Sequence, residues 1–275
     1  MGTLLKRTIS GILLVAVVVG CLWTPWTLLA LVCFLSVTLF HEFYRLAVDR
    51  RFRREMVCVS AASVVTLALL FCHLQGGWPL RFAVVGFLPV VAAYIFLLFD
   101  ASGDHAFPSG VWFPLLYITL PLTAALLLAW PGGVFTWRLL LGIFVLAWFN
   151  DIGAYCVGML LGQRPHSRKL FPSLSPKKSW VGVAGGTLFC FLAAWGYWAL
   201  FGAPVLPLAH WLALAGIVSV FGVFGDLFES LIKRHAGVKD SSSLIPGHGG
   251  LLDRFDDLLF ILPLAALYLM LFSLL

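Results

Sequence analysis

Charge is scarce in this sequence. Asp, Glu, Lys and Arg together make up 11% of it, hydrophobic residues make up 61%, and the mean hydropathy is +1.01. A chain so poor in charge cannot clothe a soluble globule, and its long uncharged runs read as transmembrane helices. Those runs are continuous and do not alternate apolar with polar residues, which excludes a membrane β-barrel. The six cysteines include no CxxC pair, so they read as small packing residues rather than a metal knuckle or disulfide framework. There is no GxxxxGK[ST] stretch, which excludes a P-loop. Internal repeats and low-complexity segments are missing as well. Val18-Val19-Gly20-Cys21 is followed directly by more apolar residues, so the first segment is expected to be an uncleaved span.

The hydrophobic runs fall at 9–22, 28–44, 57–72, 80–99, 111–130, 138–161, 180–201, 208–233 and 255–275. At roughly 20 residues per crossing, the expected fold is an all-α, polytopic membrane protein of about nine spans. A cytoplasmic N-terminus then places every Lys and Arg on the cytoplasmic side except Arg81 and Arg138, as the positive-inside rule demands. The net charge of +6 is thereby explained by juxtamembrane loops and does not call for nucleic acid. The acids crowd towards the same face. One membrane-embedded domain, 1–275, is expected, with its catalytic part in about 138–275.

Polar chemistry concentrates in 230–256, which holds four basic residues and three carboxylates between two apolar runs. Asp226, Ser230 and Lys233 fall within roughly 60° on one helix face, with Glu229 and Arg234 flanking it. Asp226 sits roughly 10 Å below the loop by helical rise, and a lone charged acid there costs about 2.5–3.5 kcal/mol. It needs either a basic partner, Lys233 or Arg234, or a cation. Asp253, Asp256 and Asp257 follow an i, i+3, i+4 pattern, so a helix would put them on one face. Asp253 alone could be an N-cap. Three carboxylates exceed what a cap needs, and they repel unless a cation neutralises them. If the loop brings Asp226 near Asp253 and Asp256, Mg²⁺ held by carboxylates, phosphates and water resolves the repulsion.

Between them, the glycines of Pro246-Gly247-His248-Gly249-Gly250 would let backbone N–H groups approach an anion, though a plain turn reads equally well. Lys233, Arg234, Lys239 and Arg254 bracket this stretch with positive charge. Upstream, Asn150 and Asp151 lie inside an apolar run, where ionisable residues are candidates for function or for a structural hydrogen-bond knot. Ser175, Lys177 and Lys178 sit in a basic loop that serves either topology or phosphate contact. Gly182, Gly185 and Gly186 are expected to let the next helix pack closely.

These residues resemble the signature of the phosphatidate cytidylyltransferases. Its pattern runs Ser, two residues, Lys-Arg, four residues, Lys-Asp, a Pro-x-His-Gly-Gly turn, and Asp-Arg-x-Asp. Ser230, Lys233, Arg234, Lys239, Asp240, Pro246, His248, Gly249, Gly250, Asp253, Arg254 and Asp256 occupy its positions. Asn150-Asp151 with Ala154-Tyr155, and Ser175-Pro176-Lys177-Lys178, look like the family's other two blocks. Two positions depart from it: Val181 stands where a Glu is usual, and Asp257 where a Ser is common.

The resemblance implies that CTP and phosphatidic acid give CDP-diacylglycerol and pyrophosphate. It also implies a homodimer in the bacterial inner membrane, with Mg²⁺ and a monovalent cation, K⁺, in a cytoplasm-facing site. Carried over, Asp226, Asp253 and Asp256 hold metal and, with Lys233, form the catalytic set. Asn150, Asp151, Ser175, Lys177, Lys178, Ser230, Arg234, Lys239, His248, Gly249, Gly250 and Arg254 would contact substrate. A CTP-dependent kinase of a polyprenol or phytol is the alternative enzyme. A secondary transporter, suggested by Asp151 and Asp226, is the alternative of another class, although the lack of a repeat counts against it.

Overall fold

The structure, a computed structural model, describes residues 3–47, 53–79, 88, 90–91, 113–164, 167–247 and 249–275. The helices are α1 (Thr3–Cys21), α2 (Pro25–Ala47), α3 (Arg53–Leu74), α4 (Leu120–Leu128), α5 (Trp137–Leu160), α6 (Trp180–Tyr197), α7 (Leu208–His235), α8 (Leu252–Phe255) and α9 (Leu258–Leu271). Among the described residues five helices are long and apolar enough to cross a membrane: Pro25–Ala47, Arg53–Leu74, Trp137–Leu160, Trp180–Phe201 and Leu208–His235. Thr8–Cys21 and Leu115–Leu128 are apolar but shorter. The expected span 80–99 and the loop 100–110 lie outside the described residues, apart from Leu88, Val90 and Val91.

The chain is mostly helical, in keeping with the expected all-α class, and within the expected 162–179 loop β1 (Lys169–Phe171) and β2 (Ser175–Ser179) pair as a small antiparallel hairpin. One expectation is corrected. The run 255–275 is not one continuous helix. It breaks at Asp256 and Asp257 between α8 and α9, so Asp253, Asp256 and Asp257 do not line one helical face. Asp257 immediately precedes α9, and its side chain accepts from Leu258 N at 2.7 Å.

The chain divides into two compact units. Unit 1 comprises Met1–Phe135 with Asp240–Arg254, and unit 2 comprises Thr136–Lys239 with Phe255–Leu275. In unit 1, α2 and α3 are joined through buried hydroxyls. Ser36 Oγ donates to Ser63 Oγ at 2.8 Å, and Thr119 Oγ1 donates to the same oxygen at 2.8 Å. Such a chain satisfies polar groups that lipid cannot. Phe43, Phe113 and Tyr117 stack beside it.

Unit 2 is built on close helix approach. A Cβ on Gly153 of α5 would lie 2.8 Å from Gly185 O of α6, and one on Gly186 would lie 2.8 Å from Asn150 O. Bare backbone there is what allows α5 and α6 to touch, as small residues do in membranes. The expected close packing at Gly182, Gly185 and Gly186 is therefore found. Trp211 of α7 is fully buried, and a Cβ on Gly142 would lie 2.3 Å from its ring. Ser179 caps α6 by accepting from Gly182 N at 3.2 Å.

Candidate active site

Within unit 2, α7 carries Asp226 to the Asp256–Asp257 turn, and Gly225 is the residue that permits it. A Cβ at Gly225 would fall 2.5 Å from Asp256 O and 2.8 Å from Asp257 Cα. No ordinary side chain survives such contacts with backbone, so α7 and the turn meet only because position 225 is glycine. Gly225→Val should therefore separate them. The expected result is a loss of about 1–3 kcal/mol from overpacking, read as a fall in Tm, together with loss of any activity that needs the turn. Wild-type Tm and activity in that variant would show that the contact is dispensable.

The turn gathers negative charge. Asp256 is half-buried and lies within electrostatic reach of Asp226, Asp257, Glu229 and Asp151. Asp257 is buried and interacts likewise with Asp151 and Asp226. Asn150 is buried on α5, and its Nδ2 would stand 3.7 Å from a Cβ on Gly222, as would Asp257 Cβ at 3.8 Å. Asp256 is repelled by the four acids around it, and the burial of Asp257 and Glu229 removes part of the water that would screen that charge.

Part of this charge is met by lysine. Lys178, presented by β2, forms an ion pair with Asp226. Lys233 pairs with Glu229 one turn below it on α7, where Glu229 is 1% exposed. The alternative in which Asp226 takes Lys233 or Arg234 as its partner is thus corrected: the partner comes from the hairpin. Arg234 Nη1 instead donates to Val238 O at 3.0 Å. A carboxylate-rich cluster of this kind, bordered by lysines, suits a cation. Among the described residues no three His, Cys, Asp or Glu side chains form a ready cation cage. The donor chemistry still fits Mg²⁺, which is commonly held by one or two carboxylates and completed by phosphate and water.

Within unit 1, Asp253 organises its own loop. Its Oδ2 accepts from Gly250 N at 2.7 Å and Ser241 N at 2.9 Å, and lies 2.9 Å from Ser241 Oγ. The Gly250 N–H is therefore committed to a carboxylate. Gly247 and Gly249 have φ of 80° and 86°, which β-carbon-bearing residues avoid, so the turn needs them. His248 lies outside the described residues.

Glu42 of α2, 2% exposed, is the other anchor of that loop. Its Oε1 accepts from Ser242 Oγ at 2.6 Å and Leu251 N at 3.0 Å. Its Oε2 accepts from Leu252 N at 2.7 Å and lies 2.9 Å from Ser241 Oγ. The single Ser241 hydroxyl proton serves Glu42 and Asp253 by turns.

Of the remaining expected site residues, Ser175 is half-buried, Lys177 exposed and Lys178 half-buried on β2. Ser230 is half-buried on α7, Lys239 exposed beyond it, and Arg254 exposed on α8. Asp151 is exposed on α5. Glu42 was not among the expected residues, although an acid inside the apolar run 28–44 is a signal of function. Glu229 was noted only as a flank, and nothing in its i, i+4 spacing from Lys233 separates it from an ordinary helix pair.

Fold and site together define a polytopic helical membrane protein with a carboxylate cluster bordered by lysines. The chain belongs to the cytidylyltransferase family, whose model matches residues 5–272. A phosphatidate cytidylyltransferase of Bacillus subtilis (strain 168) is 45% identical over 129 residues, covering 47% of this chain and 46% of that protein. One from Staphylococcus aureus (strain COL) is 47% identical over 124 residues, covering 44% and 45%. One from Staphylococcus haemolyticus (strain JCSC1435) is 46% identical over 121 residues, covering 44% and 45%. The matched chain spans about half the length of these curated relatives.

Proposed function

We propose that this chain transfers the cytidylyl group of CTP to phosphatidic acid, giving CDP-diacylglycerol and pyrophosphate. The observation that carries this reading is the meeting of Asp226 with Asp256 under Lys178, in a chain of the cytidylyltransferase family. A phosphatidate oxygen attacks the α-phosphorus of CTP. The bond from that phosphorus to the bridging oxygen breaks, and pyrophosphate leaves with the electron pair. A phosphomonoester is largely dianionic at neutral pH, so its oxygen needs no strong base.

Both reactants are anions, and the barrier is chiefly their repulsion. Mg²⁺ would be held by Asp226 and Asp256, and when bound it would neutralise phosphate charge; the family signature gives Asp253 the same role. K⁺ is proposed as the companion cation. Lys178, Lys177, Lys233 and Arg234 draw the triphosphate, while Asn150 and Asp151 orient it.

The remaining parts of the proposal are nine spans with a cytoplasmic N-terminus, a homodimer, and a site facing the cytoplasm of a bacterial inner membrane. The one-sided placement of Lys and Arg supports that orientation.

Purified protein given CTP, Mg²⁺ and phosphatidic acid should release pyrophosphate and form a cytidine-bearing lipid. Chelation with EDTA should stop both. Release of CDP with a phosphorylated lipid would instead identify a kinase, and no nucleotide turnover would reject the proposal.

A further inference from the structure

In segment 240–253 of unit 1, the room left by the Gly249-Gly250 pair is filled by two carboxylates and one hydroxyl. A Cβ on Gly250 would fall 1.9 Å from Ser241 Oγ and 2.5 Å from Glu42 Oε2. A Cβ on Gly249 would fall 2.7 Å from Asp253 Oδ2. Bare backbone at both positions is therefore what lets the three groups converge. Ser241 is 5% exposed, and its hydroxyl stands 2.9 Å from Glu42 Oε2 and 2.9 Å from Asp253 Oδ2.

Each carboxylate is also gripped by a pair of amides. Asp253 Oδ2 accepts from Ser241 N and Gly250 N, and Glu42 accepts from Leu251 N and Leu252 N. The amides that hold Asp253 belong to its own loop and move with it. The Ser241 hydroxyl adds a restraint of another kind, because it joins Asp253 to Glu42 on α2, a helix long and apolar enough to cross the membrane. A serine hydroxyl at a surface turns freely among its rotamers. Here the Gly250 backbone and the two acids crowd it, so its direction is set by the fold.

We propose that Ser241 is a positioning residue for the reaction, with Glu42 as its support: the hydroxyl fixes the direction of the Asp253 carboxylate against α2, and Gly249-Gly250 make room for it. This rests on the role in holding the cation that the family signature gives Asp253. Direction matters for that role, since Mg²⁺ demands near-octahedral ligand geometry. A hydrogen-bond partner that orients such a ligand typically costs about 10–100-fold in metal affinity or activity when it is removed. Placing the partner on a rigid helix instead of the loop is what keeps the carboxylate steady.

Ser241→Ala in the full chain tests this, because it deletes the hydroxyl and keeps all four amides. In the metal-free protein, hydrogen exchange at the Gly250 amide, which donates to Asp253, should quicken about tenfold. The Leu251 and Leu252 amides, which donate to Glu42, should stay within about twofold of wild type. Pyrophosphate release should fall about 10–100-fold, with Tm within about 2 °C of wild type. In an Asp253→Asn background, adding Ser241→Ala should cost less than about twofold more, because the residue it acts through is already disabled. Equal quickening of all these amides with a lower Tm would make Ser241 ordinary loop packing and overturn the inference. Equal rate losses in the two backgrounds would overturn it too, as would a wild-type rate in Ser241→Ala beside an impaired Asp253→Asn; the proposed reaction survives all three results. A wild-type rate in Asp253→Asn would overturn the inference together with the role of Asp253. No turnover by the wild type would reject the reaction itself, and the inference with it.

Discussion

Asp256→Asn is expected to lower pyrophosphate release by about 10²–10³-fold, the usual cost of removing one charge-stabilising group from a reaction centre. The substitution keeps shape and removes only charge. Asp256 lies in reach of Asp226, Asp257, Glu229 and Asp151, so neutralising it relieves repulsion in the substrate-free protein. The Tm should therefore hold or rise while activity collapses, the trade-off typical of a site selected for function over stability. Raising Mg²⁺ should recover little, because the missing oxygen charge is the protein's own. A purely structural Asp256 would behave the other way, losing Tm in proportion to rate. Full activity in this variant would remove Asp256 from the chemistry.

Glu42→Ala should produce the largest loss of stability. It strips the acceptor from Leu251 N and Leu252 N, both buried, and from Ser242 Oγ. Each orphaned buried amide costs about 1–3 kcal/mol, before the hydroxyls are counted. The loop 240–251 should become sensitive to limited proteolysis, and Tm should fall by several degrees. Activity should fall with it, since Ser241 and Gly250 also hold Asp253. Glu42→Gln should lie between, because one amide oxygen can still accept while its NH₂ faces donors. Equal Tm in wild type and Glu42→Ala would mean the loop is held by something else.

The membrane class was legible because it rests on summed hydropathy, which no tertiary contact reverses. The meeting of Asp226 with Asp256 was legible too, from helical spacing and the cost of an unpaired acid. The sequence reading was misled where local pattern gave way to tertiary detail. The i, i+3, i+4 spacing of Asp253, Asp256 and Asp257 suggested one helix, yet the helix stops at Phe255 and resumes at Leu258. Lys178 stood in what read as a basic loop, and only the pairing of β1 with β2 carries it to Asp226. The attachment of Glu42 to residues about 200 positions away is invisible to any local window.

The most direct measurement is the electron paramagnetic resonance of Mn²⁺, standing in for Mg²⁺, titrated into the purified protein with and without CTP. Wild type should immobilise the ion, more tightly when CTP is present. Asp226→Asn and Asp256→Asn should each weaken that binding at least tenfold while Arg168→Gln leaves the ion bound. Undiminished Mn²⁺ binding in both aspartate variants would contradict the assignment of the cation to this pair.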